Sequence, residues 1–269
     1  MSDEKIRLGG MALANGVLVH GPTSWACAVR ADDGALKVAS ARKLFATASI
    51  ENRLVRGPAR LLEALAVLPQ AKRKLPEAKL PFERPAVLGG MVASSVTIRV
   101  LRGADGISTA SRELASGVLS FLPAVLALSG GELASYHGAE HISIGSYEHG
   151  EPRPREHERC GTHLVGPLLV ATAAGNALAS AAPARARKPA RLAASLGAIA
   201  AATEIFGWMT RNPDNPLSRA LARPGHELQH RFATAEPTAE QLEVARAALA
   251  ACLELEGGAL DDGDDAGHP

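Results

Sequence analysis

The chain has 269 residues, 46% hydrophobic and 21% charged, with a formal net charge of +1. That length holds one or two soluble domains, or a small polytopic membrane domain with soluble ends. The balanced charge, without a basic stripe interleaved with aromatics, excludes nucleic acid as an expected partner.

Aromatic residues are only 3% of the chain, so Ala, Leu, Val and Gly carry the hydrophobicity. Faces built from small residues suit close helix packing in a bilayer. Cys27, Cys160 and Cys252 are widely spaced and odd in number. They form no disulfide framework and suit a reducing compartment. Cys27 and Cys252 read as small buried apolar residues. The opening Ser2-Asp-Glu-Lys lacks a basic end joined to an apolar core, so no secretory leader is expected.

From Leu8 to Ala39 the pattern is strand and turn. Gly9-Gly10, Asn15-Gly16 and Gly21-Pro22 punctuate it, and Ala31-Asp-Asp-Gly34 predicts a hairpin turn. From Arg53 to Lys74 the period changes: Leu54, Leu61, Leu62, Leu65 and Leu68 fall at helical spacing, with Pro58 in the first turn. Residues 70–79 read as a basic, proline-containing connector.

Four apolar stretches follow, roughly 85–101, 114–129, 164–182 and 192–209. A spanning helix needs about 20 apolar residues. The third and fourth reach that length; the first two are marginal, and Ala-rich soluble core helices are the alternative. Lys72, Arg73, Lys74, Lys79 and Arg84 place the N-terminal part in the cytoplasm. Four spans then return the segment before the third stretch to that side. Arg185, Arg187, Lys188 and Arg191 fall outside, against the same rule.

Between the second and third stretches lies the densest run of metal-capable side chains. His137-x-x-Glu140-His141 has the order of the inverted zincin signature. On a helix, both imidazoles share a face and reach one cation, while Glu140 stands where a general base would activate water. Glu148 is the second choice for that base. His157-x-x-Cys160 offers a second ligand pair, since zinc takes imidazole and thiolate together, and Arg159 would favour the thiolate. Glu204, inside the fourth stretch, is either a further ligand or a structural carboxylate paired with Arg.

Beyond Trp208 the chain turns polar. Leu217 to Phe232 reads as an interfacial amphipathic helix. Thr238-Ala-Glu-Gln241 is a capping box opening an amphipathic helix that ends near Gly257.

The fold class expected is mainly α: a polytopic membrane helical bundle of about four apolar helices, with a small N-terminal β element and a C-terminal amphipathic helix. The regions expected are a cytoplasmic β/α part over 1–84, a membrane helical domain over 85–210 with a metal-site loop at 130–163, amphipathic helices over 211–257 and a disordered acidic tail over 258–269.

Tyr136-His-Gly-Ala-Glu-His141, Tyr147-Glu-x-Gly150 and His157-x-Arg-Cys-Gly-Thr162 carry a resemblance, supported by Gly9-Gly-x-Ala12, Gly16-Val17, Gly21-Pro22, Ala28-Val-Arg30, Arg56-Gly57, Asn215-Pro216 and Pro224-Gly225. Over about Gly9 to Leu255 the chain resembles the YqhQ-like family of uncharacterised bacterial membrane proteins, the domain of unknown function 1385. The resemblance implies a multi-pass membrane protein and a metal-dependent enzyme of unestablished reaction. Asn15 stands where the family usually has Glu, His20 where it has Arg, Ile142 where it has Lys, and Glu158 where it has Pro.

The function expected is a metal-dependent integral membrane enzyme, a zinc hydrolase at the cytoplasmic face of the cytoplasmic membrane. His137, His141 and one or both of His157 and Cys160 hold the divalent cation, with Glu204 as a further ligand. Glu140 is the base, with Glu148 second. The expected partners are membrane lipid, an unnamed substrate and, as an open option, further copies of the chain. Two alternatives stand beside it. If all four His and Cys ligands bind at once, the shell closes and the metal is structural in a membrane scaffold. If Glu204 and the histidines relay protons or ions, the chain is a transporter.

Overall fold

The computed structural model describes residues 5–45, 47, 49–104, 106–120, 122–128 and 131–264. The chain opens with a four-stranded antiparallel meander: β1 (Gly9–Leu13), β2 (Gly16–His20), β3 (Ser24–Arg30) and β4 (Leu36–Arg42), paired in that order. The predicted turns fall where expected. Gly34 has φ +81°, and its N–H donates to the Ala31 carbonyl at 2.9 Å. Asn15 does more than turn the chain. Its amide donates to the Arg30 and Glu77 carbonyls at 3.0 Å each and accepts from the Lys79 N–H at 2.9 Å. A Glu at this position could accept but not donate, so the amide is what this site needs.

Both faces of the sheet are covered, so β2 and β3 read as nearly continuous apolar runs. Side chains alternate between faces with period two. Leu13, Leu18, Trp25, Cys27 and Val29 pack on α1 (Arg56–Lys74) and on Leu75, Ala78 and Leu80 after it. Gln70–Lys74 therefore belong to a helix rather than to the connector. The opposite face, with Val17, Val19, Ala26 and Ala28, packs on α5 (Gly131–His149) and α9 (Ala239–Asp264).

The predicted capping box forms at α9: Thr238 N–H reaches Gln241 Oε1 at 3.0 Å, and Gln241 N–H reaches Thr238 Oγ1 at 3.3 Å. α9 buries Val244, Ala245, Ala248 and Cys252 against the sheet, so it is a core helix. It also runs past Gly257 to Asp264, into residues expected to be disordered. Glycine penalises a helix by only about 1 kcal/mol. Residues 265–269 of that expected tail lie outside the described residues.

The apolar stretches become α2 (Pro85–Gly103), α3 (Thr109–Ser120), α4 (Leu122–Leu128), α6 (Val165–Ser180) and α7 (Arg187–Arg211). α2, α6 with its preceding 3-10 turn, and α7 with the turn before it are long and apolar enough to cross a membrane. Only 17–28% of their most apolar windows is buried, and Leu88, Val92, Val96, Leu178, Leu192 and Leu196 stand exposed. Soluble core helices would bury those side chains.

The second stretch is not one helix. Pro123 sits in the first turn of α4, where its missing N–H does no harm but where α3 could not have run through. The segment Leu114–Leu128 meets α5 at 86°, so the pair counts as a fourth span only if it is read as one broken element.

α6 and α7 form a hairpin. At its near end, Gly166 touches the Leu221 carbonyl on α8 (Pro216–Leu228), and Thr203 on α7 touches Gly57 on α1. The basic turn at 184–191 is therefore at the far end, roughly 24 Å away along 16 residues of α6.

Candidate metal centre

α5 supplies the first donors. Residues at i, i+3 and i+4 share a helix face, which brings His137, Glu140 and His141 together. The segment expected as a metal-site loop is thus largely a buried helix, wedged between the sheet, α9 and the loop beyond it. Small residues permit this. A Cβ at Gly138 would stand 2.2 Å from the Ala235 carbonyl oxygen, and one at Gly145 would crowd Arg153 and His157.

The close approach at Gly138 lets the chain at 233–235 lie along α5. The Ala233 carbonyl then accepts from His137 Nδ1 at 2.8 Å, and the Arg155 carbonyl accepts from His141 Nδ1 at 2.6 Å. A carbonyl can only accept, so each ring carries its proton on Nδ1 and leaves a lone pair on Nε2. This outer fixation of ring and tautomer is what metal-binding histidines usually receive.

Cys160 closes the group. Its Sγ lies 3.5 Å from His137 Nε2, and the ligand atoms of His137, His141 and Cys160 all lie within 4.8 Å of one another. Small side-chain adjustments bring such atoms to bonds of about 2.0–2.3 Å around one ion. Glu140 Oε2 stands 3.8 Å from His137 Nε2 and 4.0 Å from His141 Nε2.

Burial shapes the protonation of the group. It pushes the Glu140 carboxyl up to about 8, a rise that the nearby His137 opposes. It holds His141 well below its ordinary value, with His137 adding to the effect. It also raises the Cys160 thiol. The expectation that Arg159 favours a thiolate is corrected here, because Arg159 Nη2 pairs with Glu148 Oε1 at 2.9 Å.

The structure does not bring every candidate residue to the group. His157 Nε2 faces Glu148 Oε2 at 3.2 Å, and its Nδ1 accepts from the Arg159 N–H at 3.3 Å. Its ring is 5.5 Å from that of His141, but both nitrogens are engaged elsewhere. The fully closed set of His137, His141, His157 and Cys160 therefore does not form. Glu148 is occupied by His157 and Arg159: burial would raise its carboxyl, but these partners hold it below the ordinary range. Glu204 lies on α7 in a two-point ion pair with Arg56, at 2.6 and 2.5 Å. That is the paired-carboxylate alternative.

One residue that sequence reasoning missed holds the loop in place. Gln229 begins a π-helical turn (Gln229–Ala233) and is fully buried. Its Oε1 accepts from the His157 N–H at 2.8 Å, while its Nε2 donates to the His157 carbonyl at 3.1 Å and to Thr162 Oγ1 at 2.7 Å. The same turn aims the Ala233 carbonyl at His137. Such π-turns occur preferentially at functional sites, but nothing in the local sequence announces one.

The fold and the site thus define a mainly helical protein with a small sheet and a three-donor nitrogen and sulfur cluster. Residues 131–255 match the family model described as "Protein of unknown function (DUF1385)". The match begins at α5 and ends in α9, so it covers every candidate site residue but leaves out the sheet and α1 to α4. No curated protein and no solved structure matches the chain.

Proposed function

We propose that the chain is a membrane-embedded, metal-dependent hydrolase with its cation held by His137, His141 and Cys160. One observation carries the reading. Two buried imidazoles, each with Nδ1 fixed by a backbone carbonyl, present Nε2 beside a thiol sulfur and within 4.0 Å of a buried carboxyl. Two imidazoles and a thiolate favour zinc among common divalent ions. Three protein donors leave a position for water, which a catalytic site needs and a structural one lacks.

A zinc ion held there would supply Lewis acidity and lower the pKa of water toward ~7. The chain's own residues do the rest. Glu140 takes a proton at Oε2 and delivers it to the leaving group. Its burial keeps its proton affinity high enough for that exchange near neutral pH. Ala233 and Arg155 hold the imidazoles in register through their carbonyls. Gln229 keeps the Cys160 loop against α5.

The apolar exteriors of α2, α6 and α7 support a bilayer as the surroundings. Lys72, Arg73, Lys74, Lys79 and Arg84, on the chain preceding α2, support a cytoplasmic placement of the site. The far basic turn argues the other way, so a C-terminal alkaline phosphatase fusion decides: no activity is expected, and full activity reverses the sidedness.

The central test is metal content. Purified protein should carry about one zinc per chain, and His141→Ala should carry almost none. Equal, near-zero content in both ends the metal reading. Cobalt substitution then separates catalytic from structural use without a known substrate. An open position makes the cobalt spectrum respond to added azide or a hydroxamate.

The distances of Glu140 favour one competing reading, in which Glu140 is itself the fourth ligand and the metal is structural. In that case azide changes nothing, and Glu140→Gln alters the cobalt spectrum directly.

A further inference from the structure

Beside the donor group lies a cavity of about 250 Å³ between α4, the start of α6, and the end of α8 with its π-turn. Val125, Leu128, Leu164, Leu168, Leu228 and Phe232 provide its bulk. Among the described lining residues Thr162 alone has a polar side chain, and its hydroxyl already accepts from Gln229. Water in such a space would find too few partners, since a buried water needs two to four. A hydrocarbon is the ligand that the lining fits.

Two further observations narrow the occupant. The cavity wall includes α6, which belongs to the helices apolar enough to cross a membrane. Leu122, two residues before Ala124 of the wall, and Val170, two residues after Leu168, are exposed apolar side chains on the same helices. Phe232 of the lining is itself exposed, and α4 and α6 turn further apolar side chains outward, a surface that suits lipid.

The cavity also shares its wall with the donor group. Gly161 and Thr162 follow Cys160 directly, and the lining residue Ala233 is the one whose carbonyl fixes His137.

We infer that this cavity holds one acyl chain of a membrane phospholipid, which makes the substrate class of the neighbouring centre a lipid. The second half of that statement rests on the hydrolase reading; the chain-binding half does not. The apolar lining gives a charged headgroup no partner, so a hydrocarbon chain is the part of a lipid that it accepts.

The test uses full-length protein in nanodiscs containing phosphatidylcholine with a diazirine on one acyl chain. Photolabelling should concentrate on residues 122–128, 164–168 and 228–233 and be competed by unlabelled phosphatidylcholine. Leu168→Trp should abolish the competed labelling, whereas Val92→Trp, on the outward face of α2, should leave it intact, with zinc content unchanged in both. If Leu168→Trp does not fold, Val125→Phe fills the same space. Labelling spread over outward helix faces, or indifferent to these fillings, overturns the inference. Capture of a diazirine fatty acid but never of the phospholipid overturns the membrane-lipid assignment. Competed labelling in a protein without zinc upholds the chain site and removes the hydrolase. Zinc without competed labelling removes the chain site and leaves the hydrolase to the cobalt test.

Discussion

Gly10 on β1 lies flush against the carboxyl group of Glu140, so that a Cβ at position 10 would stand 2.1 Å from Oε1. The sheet is therefore one wall of the candidate centre. Because the colliding atoms are the end of a side chain, Gly10→Ala displaces the carboxyl before it displaces the fold. The variant should keep its zinc and lose the work of the base, a drop of about 10²–10⁴ in turnover on whatever substrate is found. Before a substrate is known, an altered azide response of the cobalt-substituted variant reads the same displacement. Gly9→Ala is the control, because its Cβ would meet the His20 ring instead. A Gly10→Ala protein that matches wild type in both readouts would show that Glu140 need not stand where it does.

Loading the centre should release protons. Without a cation, burial keeps Glu140 protonated up to about pH 8 and raises the Cys160 thiol, while His141 is already neutral. A cation needs the thiolate and favours the carboxylate, so about one to two protons leave per ion at neutral pH, and affinity rises with pH. Calorimetry in buffers of different ionisation enthalpy counts them, and Glu140→Gln should release fewer. A matching stability effect follows in the metal-free protein. The folded carboxyl titrates above its ordinary 4.5, so its contribution is fully present below that value and is lost as pH rises toward about 8. Metal-free Glu140→Gln should therefore melt above metal-free wild type at pH 8, with the gap closing near pH 4.5. Identical melting at both pH values would mean that Glu140 is not the buried carboxyl described.

Much of this arrangement could be read from the residues. The strands declared themselves through Asn15-Gly16 and the turn at Gly34, and the spacing of His137 and His141 put two imidazoles on one helix face. Cys160 was visible as a nearby thiol. What could not be read was which member of the His157 and Cys160 pair reaches the group. That depends on the Glu148 carboxylate and the Arg159 backbone N–H claiming the two nitrogens of His157, while the Arg159 side chain holds Glu148. Gln229 was invisible for a similar reason, since a lone glutamine after an amphipathic helix has no periodic signature. The amphipathic face of α9 was legible from Val244, Ala245 and Ala248, but its partner, the sheet, and its end beyond Gly257 were not.

Glu204 illustrates the same limit from the other side. A carboxylate in an apolar run invites a functional reading, yet Arg56 grips both of its oxygens. Both side chains remain somewhat exposed, at 29% and 28%, so solvent screens the pair and its contribution to stability is small. It pins α1 to α7 at the point where Gly57 makes room for Thr203. Glu204→Gln should lower the melting temperature modestly and leave zinc content unchanged. Loss of zinc in this variant, with melting preserved, would return Glu204 to the ligand set.

Glu256 on α9 caps the β2–β3 turn from the helix side. Its Oε1 accepts from the N–H groups of Thr23 and Ser24 at 2.9 and 2.6 Å and from the Ser24 hydroxyl at 2.6 Å. Gly21 leaves the room, since a Cβ there would stand 2.4 Å from the same oxygen. Burial alone would raise this carboxyl, but the Ser24 and Thr23 donors outweigh it and hold it below the ordinary value. A depressed carboxyl contributes stability above its unfolded value, and that contribution fades as pH falls through the folded one. The docking of α9 on the sheet should therefore weaken in acid, below about pH 4.5. Glu256→Gln removes the charge from these bonds and should cost about 1.5–3 kcal/mol at neutral pH, with little further loss in acid. Thermal melts followed by fluorescence, in which Trp25 reports the sheet, measure both. A variant as stable as wild type at pH 7, or one that keeps the full acid sensitivity, would assign that sensitivity to another carboxylate.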